Sequence, residues 1–117
     1  MKIKSNILPA FDNCKNLHIS GFNKLTGTEA NALRQIITTL PEPGYSTIFI
    51  NTKNVTEVDL TGINEIIHTN YTLQQKEILL ILAYQKGSVI EKWMKITKLD
   101  KFVATALIPT PKAPYSS

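Results

Sequence analysis

The sequence predicts one α/β domain with a mostly parallel sheet and an antiparallel pair at its N-terminus. Three observations carry this. Short apolar segments alternate with segments of helical period, the order that builds a parallel sheet joined by helices. The first two apolar segments follow one another with no helix between them, which suits antiparallel pairing. The length of 117 residues fits one domain with one core. The expected order is β-β-α-β-α-β-α-β, with no internal repeat.

Ile3 to Leu8 and Leu17 to Ile19 are short and alternating, and read as the first two strands, with Pro9 to Asn16 as the turn region. Thr26-Gly27-Thr28-Glu29 matches a capping box, a hydroxyl followed three residues later by a glutamate. Behind it Ala30, Leu33, Ile36, Ile37 and Leu40 recur at helical spacing, and Pro41-Glu42-Pro43-Gly44 stops the helix. Tyr45 to Thr52 is rich in β-branched and aromatic residues and reads as the third strand. A second helix starts near Thr61, with an apolar stripe through Ile63, Ile66, Ile67, Asn70/Tyr71 and Leu73. Ile78 to Leu82 is apolar without alternation, as in a strand covered on both faces.

Gly87-Ser88 opens a third helix. Val89, Ile90, Trp93, Met94 and Thr97 point inward, and Glu91, Lys92, Lys95 and Lys98 outward. Phe102 to Ile108 reads as the last strand. The domain is therefore expected over residues 1–108, with 109–117 as a proline-dense tail, disordered or loosely laid on the surface.

Composition excludes several functions. The net charge is +4, the lysines are spread out, and Arg34 is the only arginine. That weighs against nucleic-acid binding, which uses dense basic clusters and bidentate arginines. Lys92, Lys95 and Lys98 read as a solvated face. Cys14 is the only cysteine, so no intrachain disulfide forms, in keeping with a reducing compartment. Residues 1–6 lack the apolar run of a signal peptide, and Ile78 to Ala83 falls far short of the ~20 residues a membrane helix needs. The expectation is a soluble, cytoplasmic protein without membrane insertion.

One cysteine and two separated histidines, His18 and His68, offer no zinc spacing. Cys14 and His18, on a predicted turn and strand, do not orient a base toward a nucleophile. No glycine-rich phosphate loop is present, so nucleotide hydrolysis belongs to a partner. We expect a non-enzymatic chain without cofactor or metal.

The run Val55 to Ile67 carries the functional signal. It follows the apolar strand Thr47-Ile48-Phe49-Ile50 and places Asp59, Thr61 and Gly62 where a turn opens a helix. Free backbone N–H groups point outward there. Asp59 and Thr61 are both favoured helix caps. Alternatively, the hydroxyl is phosphorylated and read by a partner. Phosphate adds about −1.5 to −2 of charge, which a helix N-terminus tolerates and an acidic partner does not.

The order of elements and these residues together resemble the STAS domain family, the module of anti-sigma factor antagonists and of sulfate-transporter tails. Ile48-Phe49-Ile50-Asn51 stands as the family's strand, with Asn51 where an Asp is common. Val55 and Val58 take the loop's apolar positions, and Asp59-Leu60-Thr61-Gly62 stands at Asp-Ser-Ser/Thr-Gly. The stretch from Val89 to Phe102 is similar to the family's last helix and the Leu-Asp-x-Phe that follows it. The resemblance implies a mixed sheet with helices packed mainly on one side. It also implies that Thr61 is the phosphoacceptor for a partner serine/threonine kinase. Three departures stand out. Leu60 replaces the first Ser, Phe22-Asn23-Lys24 lacks the usual Asp, and Gln75-Lys76-Glu77 replaces a common Gly-Gly before the fourth strand.

The function implied is that of a stand-alone bacterial regulator which binds an anti-sigma factor kinase. Its docking surface would combine Asn54 to Thr61, the first two turns of helix two and the loop from Gly21 to Gly27. Asn23, Asn54, Asp59, Leu60, Thr61, Gly62 and Glu65 are the candidate contacts. The rival is a constitutive adaptor for an ABC-type lipid-transport ATPase or a stress-signalling scaffold, with Thr61 as cap and contact.

Overall fold

The computed structural model describes residues 4–9, 15–39 and 45–109. Five strands form the main sheet: β1 (Lys4–Pro9), β2 (Lys15–Ser20), β4 (Tyr45–Asn51), β6 (Leu79–Tyr84) and β7 (Ala104–Leu107). Two shorter strands, β3 (Lys24–Leu25) and β5 (Glu57–Val58), pair apart from it. The helices are α1 (Gly27–Thr38), α2 (Leu60–Gln75) and α3 (Val89–Thr97), and a 3-10 turn, Leu99–Lys101, precedes β7. The stop at 41–44, Leu40, residues 10–14 of the first turn and the tail from 110 onward lie outside the described residues.

The strand order is β1-β2-β4-β6-β7, antiparallel between β1 and β2 and parallel thereafter. Each parallel step moves the sheet in the same direction and is bridged by one helix. With crossovers of one hand, such winding puts the helices on one face. The burial follows. Leu17, Ile48 and Leu80 stand in register across β2, β4 and β6, and Ile19, Ile50 and Leu82 form the next row; all six are buried. Ile63, Ile66 and Leu73 of α2 and Ala30, Leu33 and Ile37 of α1 join this core.

The opposite face corrects the reading of β6 as covered on both sides. His18, Phe49 and Ile81 share a row there and are half-buried, and Leu79 is 50% exposed. An apolar run without alternation did not require a second layer. His18 and Phe49 meet edge to face at 5.8 Å, one of the contacts this open side makes for itself. One helical position is also corrected: Ile36 is 39% exposed. Of the pair Asn70/Tyr71, Asn70 takes the buried place and Tyr71 is 63% exposed. Asn70 continues the spacing of Ile63 and Ile66, and its Nδ2 donates to the Phe102 carbonyl at 2.8 Å, so its burial leaves that donor satisfied.

The expected capping box at α1 forms differently. The Thr26 hydroxyl donates to the Glu29 carboxylate and lowers its pKa, and Thr26 gives no side-chain cap to the helix backbone. A variant of the box forms at α3 instead: Ser88 Oγ accepts from the Glu91 amide at 3.3 Å, and the Glu91 carboxylate accepts at 3.0 Å from the amide of Gly87, the residue before the cap. Before β6, Glu77 holds φ 61, the left-handed conformation that favours glycine. The turn thus keeps a glycine-like backbone where the resembling family often has Gly-Gly.

Candidate partner-docking site

The two loops expected to form the docking surface are held side by side by the β3–β5 ladder. Lys24 pairs with Glu57 and Leu25 with Val58, in parallel. The Thr56 amide donates to the Asn23 carbonyl at 2.9 Å, and the Thr56 hydroxyl reaches the same oxygen at 3.4 Å. Phe22, Leu25 and Val55 anchor both loops in the core. These strands are two residues long, too short to show any period, and sequence reasoning missed them.

The path from β4 into this site is fixed by polar residues. Asn51 Oδ1 accepts from the Lys53 amide at 2.8 Å, an Asx turn that starts the loop. Thr52 is buried; its amide and hydroxyl both donate to the Ala83 carbonyl of β6, at 3.0 and 2.7 Å. The loop therefore leaves the sheet at a fixed point, which sets where α2 begins.

Asp59 is the N-cap of α2, and its side chain accepts from the Gly62 amide at 2.7 Å. Gly62 is buried against β3: a Cβ there would lie 1.9 Å from the Leu25 carbonyl oxygen. Only a residue without a side chain lets the start of α2 come this close to backbone. Internal packing thus accounts for Gly62.

Thr61 is exposed, and its hydroxyl makes no hydrogen bond among the described residues. The cap is therefore Asp59 and not Thr61. The Thr61 methyl faces the first turn of α1, where a Cβ on Gly27 would meet it at 2.9 Å. One to two turns further on, Arg34 Nε of α1 stands 2.9 Å from Glu65 Oε2 of α2. These two contacts show α1 and α2 running in the same direction, N-termini together.

The other candidate contacts fall as follows. Leu60 is 55% exposed at the first position of α2. Asn23 and Asn54 are exposed, in β3's approach and in the turn after Asn51, and Asp59 is half-buried. Glu65 is half-buried and committed to Arg34. Sequence reasoning noted Arg34 only for being alone. Its spacing of seven from Gly27 puts both on one face of α1, and that signal could have tied it to the site.

Among the described residues no group of His, Cys, Asp and Glu is arranged to hold a metal, and no helix is long and apolar enough to cross a membrane.

A search of curated protein sequences finds no match. Solved structures do match. A proposed anti-sigma factor antagonist from Thermotoga maritima aligns with a TM-score of 0.72 at 17% identity, over 92% of this chain and 86% of that one. An anti-sigma factor antagonist from Mycobacterium paratuberculosis aligns with a TM-score of 0.63 at 21% identity, over 93% and 87%. The Bacillus protein SpoIIAA, an anti-sigma factor antagonist in its unphosphorylated form, aligns with a TM-score of 0.58 at 16% identity, over 92% and 90%. SpoIIAA in its phosphorylated form also aligns, with a TM-score of 0.57. At these identities the likeness is one of fold. The sequence profile of the STAS domain matches residues 4–112, and the chain belongs to the STAS domain family.

Proposed function

We propose that this chain is a non-catalytic interaction regulator of the anti-sigma factor antagonist type, working in the cytoplasm. It docks a partner serine/threonine kinase or anti-sigma factor through the turn before α2, and phosphorylation at Thr61 switches that contact. The observation that carries the reading is the unused hydroxyl of Thr61. It is exposed in a turn whose folding is served by its neighbours Asp59 and Gly62. A phosphate there would sit beside the first turns of both α1 and α2, where the backbone dipoles favour negative charge. Asn23, Leu60 and Thr61 would supply exposed contact surface.

A second reading has one observation in its favour. Leu60, where the resembling family has Ser, is 55% exposed and offers an apolar contact that phosphorylation does not need. On that reading the same surface holds a fixed partner, an ABC-type ATPase or a signalling scaffold.

Binding of the isolated partner to Thr61→Glu and Thr61→Ala separates the two. The switch predicts that Glu weakens binding about tenfold or more relative to Ala, ~1.4 kcal/mol or above. Equal binding by both variants assigns Thr61 to the adaptor reading.

A further inference from the structure

We propose that Arg34 is the internal counter-charge of phosphorylated Thr61, and that phosphorylation draws it away from Glu65. The inference rests on Thr61 being the phosphoacceptor. The transfer itself moves the γ-phosphoryl group of a nucleoside triphosphate onto Thr61 Oγ1. The bond from the threonine oxygen to phosphorus forms, and the bond from that phosphorus to the bridging oxygen breaks. The hydroxyl proton goes to a base of the kinase, and the nucleoside diphosphate leaves.

The present Arg34–Glu65 contact is an ion pair without a directed hydrogen bond. Nε lies 2.9 Å from Glu65 Oε2, yet that buried oxygen receives no directed hydrogen bond. The pair is held by charge and proximity. Arg34 remains 35% exposed, and its terminal guanidinium nitrogens make no hydrogen bond among the described residues. Glu65 follows Thr61 by four residues on α2, so their Cβ atoms lie about 5–6 Å apart on one face. A guanidinium beside Glu65 is therefore within reach of a phosphate on Thr61.

The phosphate is the stronger partner. It carries about −1.5 to −2 against the single charge of a carboxylate, and its oxygens match the guanidinium fork. It also repels Glu65, because like charges four apart on a helix oppose each other. Arg34 turns to the phosphate, and Glu65 is left without its cation. One modification then changes two positions at the start of α2, the second by leaving the half-buried Glu65 carboxylate without its cation.

The test installs phosphothreonine at position 61 during translation, so it depends on no kinase. Arg34 is the only arginine, and its Nε–H gives a single NMR signal that needs no assignment. The expected result is that this signal shifts on phosphorylation. In addition, the phosphorus resonance should titrate about half a pH unit lower in the otherwise unaltered protein than with Arg34→Gln. Glu65→Gln is a second variant that keeps Arg34 and removes its competitor, and its phosphate should titrate at least as low as with Glu65 present. An unmoved Nε signal, equal titration with and without Arg34, or a raised titration in Glu65→Gln overturns the proposal. Any of these leaves Thr61 free to be the phosphoacceptor. A partner kinase that never modifies Thr61 would instead overturn the switch and leave the chemistry of the installed phosphate as measured.

Discussion

The starts of α2 and α3 solve one problem in two ways. Both helices are capped by a side-chain oxygen: Asp59 accepts from Gly62 at 2.7 Å, and Ser88 from Glu91 at 3.3 Å. Both turns contain a glycine. Gly87 is there for its backbone, with φ +80 and no atom within 4 Å of a would-be Cβ. Gly62 is there for space, pressed onto the Leu25 carbonyl. At α3 Ser88, Glu91 and Gly87 are all committed to the turn. At α2 the cap and the glycine complete the fold, and Leu60 and Thr61 between them are left exposed. Residues that folding does not use, set between residues it cannot do without, are what a contact site needs.

Substitutions can break this contrast, beginning with the largest effect. Gly62→Ala should cost about 3 kcal/mol, because its methyl would meet backbone that has nowhere to move. Thermal melting measures it, and a melting temperature near the parent's would show that α2 can retreat from β3. Gly87→Ala should cost about 1–2 kcal/mol, the penalty of a left-handed L-residue with no clash added. If the two alanines cost the same in urea denaturation, the distinction between space and backbone conformation fails.

Asp59→Ala and Ser88→Ala should each lose about 1 kcal/mol as caps. The smallest effect belongs to Thr61→Ala, expected within about 0.5 kcal/mol in the same denaturation, since its hydroxyl bonds to nothing among the described residues. Should it cost as much as Asp59→Ala, the hydroxyl is not spare and the contrast collapses.

The parts of this molecule with a period or a punctuation mark were legible in the sequence. The β-branched run of β4, the apolar spacing of α2 and the Asp-x-Thr-Gly turn placed the elements and the candidate site between them. What stayed hidden depends on three-dimensional neighbours. The two-residue strands β3 and β5 carry no pattern, yet they join the two loops. Asn70 and Tyr71 are equivalent in a helical stripe until the Phe102 carbonyl supplies a partner for one of them. Gly62 reads as turn chemistry in the sequence, and only the position of Leu25 shows it to be a packing requirement. Apolar β6 reads as doubly covered because hydrophobicity reports preference, and the helices happen to cover one side.

The β3–β5 ladder also determines what kind of object the proposed docking surface is. Asn23 and Thr56 share a hydrogen bond while standing 33 residues apart in the chain. Phe22 and Val55, next to them, are buried in the common core. The proposed surface is thus built from two segments that come together only in the folded domain. Neither segment carries it alone, so a peptide spanning residues 54–65 lacks half of what a partner would touch. On the proposed function, a partner that reads this surface would read the folded state at the same time, and an unfolded or nicked chain would drop out of the interaction without any separate check.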